Sequence, residues 1–328
     1  MTVASRSLGV GLALAAALFA LVVWSVGTGE IAIPPGEVVA TLLGGGDRAT
    51  SFVIETLRLP RALCGLLIGI ALGASGAIFQ SITRNPLGSP DIVGFIQGAS
   101  AAAVLQIVVF GGGTFAIAGG AIVGGFATAV LVYGLSYRGG VQGYRLVLVG
   151  IGIAAMLVAV TDYLLTRSTL EQAQEAQVWL TGTLNGRGWE HVRPIALALV
   201  LLAPAVALLA RELRMLELGD EAARALGVRV ERSRLALVVV AVALCAVATA
   251  SAGPIVFVAL AAPQIARRLT RATGPGVACA GLMGGVLLLG ADCASQRLFG
   301  DAQLPVGVMT GVLGGVYLVW LLLREWRA

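Results

Sequence analysis

Residues 62–82 read ALCGLLIGIALGASGAIFQSI, an apolar stretch that contains no charged residue. A bilayer core of roughly 30 Å requires about 20 apolar residues per helix, because lipid offers no hydrogen-bond partner to unpaired backbone groups. Similar runs fill the chain, which is 58% hydrophobic and 12% charged. Long uninterrupted runs argue against a membrane barrel, whose strands alternate in hydrophobicity. The sequence therefore predicts an all-α, polytopic membrane protein.

Ten stretches have the composition of membrane-spanning helices, which we predict at residues 8–26, 62–82, 92–110, 114–137, 146–166, 192–210, 235–252, 254–269, 275–296 and 306–323. We interpret the first as a helix and not a signal peptide, because no small-residue cleavage site follows it. An even number of spans puts both termini on the same side. If that side is the cytoplasm, the positive-inside rule is obeyed, since the outer segments keep only Arg48, Arg58, Arg61, Arg167, Arg187, Arg193 and Arg297.

Small residues recur every four positions within residues 62–82. Gly65, Gly69 and Gly73 lie on one helical face, and Ala77 extends the stripe. A face without bulky side chains lets neighbouring helices approach closely, so we predict that this helix is central in the bundle. The alternative is that glycine is a common filler in a chain that holds 45 of them.

The basic residues exclude several functions. All 22 are arginine, so the lysine of a phosphate-binding loop and the lysine of Schiff-base chemistry are both missing. The net charge of +5 fits arginines retained on cytoplasmic loops, and no basic tail suggests nucleic acid. The chain therefore has no ordinary ATP site of its own.

Other reactive side chains are scarce. Cys64, Cys245, Cys279 and Cys293 lie in apolar stretches without metal-ligand spacing, and the lone His191 is at a span boundary. Asp162 and Asp292 are candidate intramembrane charges, with an interfacial position or an arginine pair as the alternative for each. No nucleophile-base-acid set is visible, which leaves transport or membrane assembly.

Six sequence blocks carry a resemblance to a known family. They are RLPR (58–61), GIALGASGAIFQSITRNPLGSPDIVGFIQGA (69–99), VWLTGTLNGRGW (178–189), LGDEAARALGV (218–228), AGPIVFVALAAPQIARRL (252–269) and LLLGADCASQRLFGDAQLPVGVMTGVLGGVYLVWLL (287–322). In this order they resemble the FecCD family, the permeases of bacterial type II ABC importers for iron-siderophores, haem and cobalamin. The resemblance covers nearly the whole chain.

The resemblance implies one ten-helix permease domain over residues 1–328, in the bacterial inner membrane with both termini cytoplasmic. It implies a second permease subunit, two ATPase subunits and an extracytoplasmic binding protein. ATP and magnesium would be held by the ATPases, so no cofactor is expected in this chain. The ion-coupled secondary transporter and the non-transporting assembly protein are the other classes that the composition allows.

The resemblance also implies two contact surfaces, one for the binding protein and one for the ATPase. Arg58, Arg61 and Arg297 match the arginines that meet glutamates of the binding protein, a role suited to a forked guanidinium. The cytoplasmic segment 211–234 matches the coupling segment that rests on the ATPase, and its contact residues would be Asp220, Glu221, Ala222, Arg224, Ala225, Leu226 and Gly227. Within this segment, Asp220 and Glu221 can begin a short helix and Gly227 can end it.

The translocation pathway has weaker candidates. Polar or glycine-broken backbone at membrane depth must face protein or water, which selects Gln80, Asn85, Trp179, Gly182, Thr183 and Leu184, with core packing as the alternative. Where many relatives have PHIAR, this chain has PQIAR at 263–267. In the family that the chain resembles, that variant implies a ferric siderophore over haem or cobalamin, and a non-identical permease partner.

Overall fold

The computed structural model describes residues 3–29, 32–298 and 304–325, which are mainly helical. The only β-pairing in these ranges is an isolated bridge between Tyr137 and Val141. Two π-helical turns occur at Val53–Arg58 and Gln106–Phe110. The α-helices are α1 (Val3–Gly27), α2 (Pro35–Leu42), α3 (Arg48–Phe52), α4 (Leu59–Thr83), α5 (Phe95–Leu105), α6 (Thr114–Ser136), α7 (Gly143–Arg167), α8 (Leu170–Leu180), α9 (Trp189–Leu208), α10 (Ala210–Glu217), α11 (Asp220–Ala225), α12 (Val230–Ala252), α13 (Val258–Thr270), α14 (Val277–Ser295) and α15 (Val306–Glu325).

Seven helical stretches in the described ranges are long and apolar enough to cross a membrane. They are Ser5–Gly27, Arg48–Thr83, Thr114–Ser136, Gly143–Arg167, Trp189–Leu208, Val230–Ala252 and Val277–Ser295, and shorter apolar stretches lie at Phe95–Phe110 and Val306–Trp320. The all-α, multi-pass architecture is confirmed. Ten crossings stay a prediction.

The predicted span 254–269 is wrong at its start. Gly253 and Phe257 have positive φ angles of 79° and 69°, so α13 begins only at Val258. Its 13 residues rise about 20 Å, less than the apolar thickness of roughly 30 Å. The predicted span 92–110 likewise begins later, since α5 starts at Phe95 and ends in a π-helical turn.

Helix α4 is the centre of the bundle, as the glycine stripe predicts. It packs against α14, α12, α13 and α9. A Cβ atom on Gly69 would overlap the backbone of Gly284, and one on Gly73 would overlap the carbonyl of Ala280. The absence of side chains therefore lets the backbones of α4 and α14 touch.

The RLPR block lies at the start of α4, where Pro60 occupies one of the first two helical positions. Helical backbone nevertheless runs without a break from Arg48 to Thr83, so the block lies inside a longer helical stretch. The π-helical turn explains why: Leu59 donates its N–H to the carbonyl of Ile54, five residues back. The wider turn lies immediately before the proline, whose ring cannot donate to an ordinary helical ladder.

Candidate functional site

The three arginines predicted to dock a binding protein lie at one end of the bundle. Arg58 and Arg61 flank the start of α4, and Arg297 follows the end of α14. The end of α1 lies beside them, since Arg58 and Arg297 both contact it. We call these three residues the arginine rim.

Arg61 makes the strongest contact of the rim. Its Nη2 and Nε atoms donate to Oδ1 and Oδ2 of Asp292 at 2.8 and 3.1 Å. The Asp292 side chain is fully buried and that of Arg61 is 17% exposed. Gln296 donates a further hydrogen bond to Asp292. A forked guanidinium on a carboxylate is a geometrically specific pair, and here it joins α4 to α14.

The other two arginines contact α1. Nη1 of Arg58 donates to the carbonyl of Val26 at 3.0 Å. The exposed guanidinium of Arg297 lies 4.8 Å from the ring centre of Trp24, a cation-π distance. All three rim arginines therefore have contacts within the chain, and Arg297 is the most accessible to a partner.

The predicted coupling segment lies at the other end of α4. Asp220 begins α11, and its carboxylate accepts from buried Arg234 of α12 at 2.7 Å. Arg84, immediately after α4, lies 3.7 Å from the same carboxylate. Arg234 also donates to Glu231. These charges fix the short helix α11 to the ends of α4 and α12.

The face of α11 that points away from the bundle is exposed, and its role in contacting an ATPase stays a prediction. Ala222, Ala225 and Leu226 are exposed, with Glu221 and Arg224 exposed beside them. The helix ends as expected, since Gly227 has a positive φ of 84° and donates to the carbonyl of Arg224. An apolar centre within a charged rim is the character of a protein contact.

Sequence reasoning missed a second ionic contact at this end. Nη2 of Arg267 donates to Glu217 of α10 at 2.9 Å and to the hydroxyl of Ser81 at 3.0 Å. Ser81 in turn donates to Glu217 at 2.7 Å. Gln264, the variant residue of PQIAR, donates to the carbonyl of Pro86. The motif thus joins α13 to the coupling segment and to α4, and its partners lie too far along the chain for a pattern to show.

The pathway candidates do not form one surface. Gln80 is 2% exposed and donates to the carbonyl of Leu260. Asn85 accepts from the backbone of Leu87 and so stabilises a turn. Both lie near the coupling end of α4, and the remaining candidates lie near its other end, where Leu184 touches the Gly65 position.

The second group forms a buried turn after α8. Gly182 has a φ of 67° and packs against Pro254. Thr183 donates to the carbonyl of Ala252, and Gly307 donates to that of Gly182. Leu184 is fully buried, whereas Trp179 is partly buried against a neighbouring apolar cluster. The irregular backbone is thus satisfied by protein, as membrane depth requires; a pathway role for these residues stays a prediction.

The remaining candidate polar residues are separate from each other. Asp162 is exposed on α7. Asp292 is paired with Arg61, and an arginine pair was one of the alternatives to a free intramembrane charge. His191 lies between Arg187 and Glu190 at 2.9 and 3.1 Å. In the described residues, no three His, Cys, Asp or Glu side chains are grouped as metal ligands.

The described residues form a multi-pass helical bundle with charged residues clustered at each end of α4, which defines an integral membrane protein. Comparison gives the particular family. The FecCD transport family matches residues 17–324, and the chain belongs to this family.

Individual relatives are similar to this chain over most of its length. The chain is 48% identical over 305 residues to the ferric enterobactin transport system permease protein FepG of Escherichia coli, covering 93% of this chain and 92% of that one. It is 39% identical over 311 residues to the achromobactin transport system permease protein CbrC of Dickeya dadantii, covering 94% and 89%. A solved inward-facing structure, assigned to a metal-chelate type ABC transporter, superposes with a TM-score of 0.86 at 28% identity, covering 96% and 99%.

Proposed function

We propose that this chain is a permease subunit of an ATP-driven importer for a ferric siderophore, a small organic chelate of iron. Membership of the FecCD transport family supports the importer class. The names of the relatives that transport ferric enterobactin and achromobactin support the cargo. Haem and cobalamin are the alternative cargoes, and an ion-coupled carrier is the alternative class.

One structural observation carries the mechanism: α4 joins the two charged surfaces. At one end Arg61 pairs with Asp292, and at the other Ser81 and Arg84 contact Glu217 and Asp220. The 25 residues of α4 extend about 37 Å. A movement imposed on the coupling segment therefore reaches the arginine rim through a single helix.

The remaining subunits follow from this proposal. The rim faces outward and receives a binding protein, and α11 faces the cytoplasm and rests on one of two ATPase subunits, which hold ATP and magnesium. Both termini are then cytoplasmic, and residues 1–328 form one permease domain. A second, non-identical permease completes a central pathway, to which Gln80, Asn85, Trp179, Gly182, Thr183 and Leu184 would contribute.

Transport proceeds by alternating access. The binding protein delivers the chelate at the rim while the helical dimer is open outward. Closure of the ATPases pushes α11, and the ionic contacts of Asp220, Glu217 and Arg267 pass that movement to α4, α12 and α13. The chain itself needs no strong cargo site, because the binding protein selects the chelate.

Uptake by the reconstituted complex tests the proposal. Proteoliposomes containing both permeases and the ATPases are supplied with binding protein and labelled ferric enterobactin, haem or cobalamin. We expect ATP-dependent uptake of the ferric siderophore only, and none with an ATPase variant that cannot hydrolyse ATP. Uptake that follows an ion gradient without ATP would overturn the importer class, and preferred uptake of haem or cobalamin would overturn the cargo.

A further inference from the structure

An apolar groove opens on the flank of the protein between α9 and α14. Its volume is about 500 Å³. Ile70 and Ala74 of α4 form the floor. The walls carry small side chains, among them Ala203 and Ala207 of α9 and Ala278 of α14. Because these residues are small, the two helices leave a channel that a flexible hydrocarbon chain can fill.

One charged residue lines this groove among the described residues, and it is Arg214 of α10. Its aliphatic stem lies near Gly274 in the turn before α14. Its Nε atom donates to the carbonyl of Ala210 in its own helix at 3.3 Å. Neither Nη atom has a hydrogen bond or ion pair within the described residues, and the side chain is exposed, so the guanidinium can reach a ligand. The groove therefore ends at a cation that lacks an acidic partner.

The surroundings determine what can occupy this space. Both α9 and α14 are long and apolar enough to cross the membrane, so a groove between them lies at membrane depth, where acyl chains are available. A guanidinium at the polar end of such a groove favours a phosphate, with which it forms paired charge-assisted hydrogen bonds. We propose that the groove binds an anionic phospholipid, with an acyl chain along α4 and the phosphate on Arg214.

A second copy of this chain is a poorer occupant. A two-fold contact places the same patch on both partners, and the described residues that line the groove include no acidic side chain. Such a contact would bury Arg214 of each copy without a carboxylate, and burying an unpaired charge is strongly unfavourable. A lipid phosphate supplies the missing negative charge.

Lipid retention measured by native mass spectrometry tests the site. The assembled transporter is stripped of lipid in detergent and titrated with phosphatidylglycerol or with phosphatidylethanolamine of the same acyl chains. We expect preferential retention of phosphatidylglycerol. Arg214→Gln should lower its affinity about tenfold, the value of one charge-assisted contact, and Arg214→Lys should restore part of it. Arg138→Gln, an exposed arginine in the turn after α6, is the control.

A second pair of variants tests the acyl chain. Ala203→Phe combined with Ala207→Phe fills the groove and should reduce retention of both lipids, whereas Val200→Phe, on the exposed side of α9, should not. Equal retention of the two lipids, or an unchanged lipid affinity in Arg214→Gln, would refute the site. A complex in which another copy of the chain covers the groove would refute it as well. The measurement needs neither cargo nor binding protein, so its outcome does not depend on which cargo the protein transports.

Discussion

Arg61 and Asp292 form a bidentate ion pair across 231 residues of sequence, with both carboxylate oxygens engaged. The pair joins the outermost turns of α4 and α14, whose middle turns are in backbone contact at Gly69 and Gly284. The two helices are therefore held together by an ion pair at their ends and by a backbone contact in their middle turns. Arg61, which the family resemblance assigns to docking, therefore also has a structural role.

Removal of the acid should destabilise the fold. Asp292→Asn leaves the largely buried Arg61 without a counter-charge, a change that costs about 3 kcal/mol. We expect a lower melting temperature for the purified complex in detergent. The double variant Arg61→Gln with Asp292→Asn should recover part of the loss because no unpaired charge remains. An unchanged melting temperature in Asp292→Asn would show that the pair has no structural role.

Docking is better tested at Arg297 than at Arg61. Arg297→Glu alters an exposed charge whose described contact is the ring of Trp24, so the fold should persist. We expect the association rate with the binding protein to fall about tenfold at low salt, since rim charges act chiefly through electrostatic steering. The association rate is measured by passing the binding protein over transporter that is immobilised on a sensor surface. Arg48→Glu, at the start of α3, is the matched control, and equal rates in the two variants would exclude Arg297 from docking.

The contact between α4 and α14 should reject even a methyl group. Gly73→Ala places a Cβ atom against the carbonyl of Ala280, an overpacking that costs about 1–3 kcal/mol. Gly290→Ala in α14 meets no atom within 4 Å and should be neutral or slightly stabilising through helix propensity. Thermal unfolding of both variants compares them. Similar melting temperatures would mean that the helices can separate without cost.

The coupling surface should depend on its apolar centre. Leu226 is 54% exposed, and Leu226→Asp places a charge where the ATPase would bury a leucine. We expect the ATPase subunits to be lost during purification of the complex, because a buried unpaired charge opposes association. Tyr137→Asp, at an exposed aromatic residue after α6, should retain them. Full recovery of ATPase with Leu226→Asp would remove α11 from the contact.

Local pattern was enough to predict the helical class, the central position of α4 and the limits of α11. Each depends on features within a few residues: the four-residue spacing from Gly65 to Gly73, or an acidic start and a glycine end around α11. Such signals act over one or two helical turns, so the sequence displays them directly.

Contacts between distant residues could not be predicted in the same way. Nothing near Arg61 identifies Asp292, and nothing near Arg267 identifies Glu217, because tertiary packing brings each pair together. The late start of α13 was also missed, since Phe257 adopts a positive φ that its sequence does not favour. The turn at 182–184 is a pathway candidate from its sequence, and its hydrogen bonds with Ala252 and Gly307 bring together three separate segments of the chain.

The backbone contact between α4 and α14 also restricts how the protein can change shape. Helices that touch through side chains can slide by repacking rotamers, but Gly69 against Gly284 and Gly73 against Ala280 leave no rotamer to change. The two helices should therefore move as one rigid body during each transport cycle. We therefore expect sliding between helices to occur at α7 and α9, which are the least buried of the seven candidate spans in the described residues.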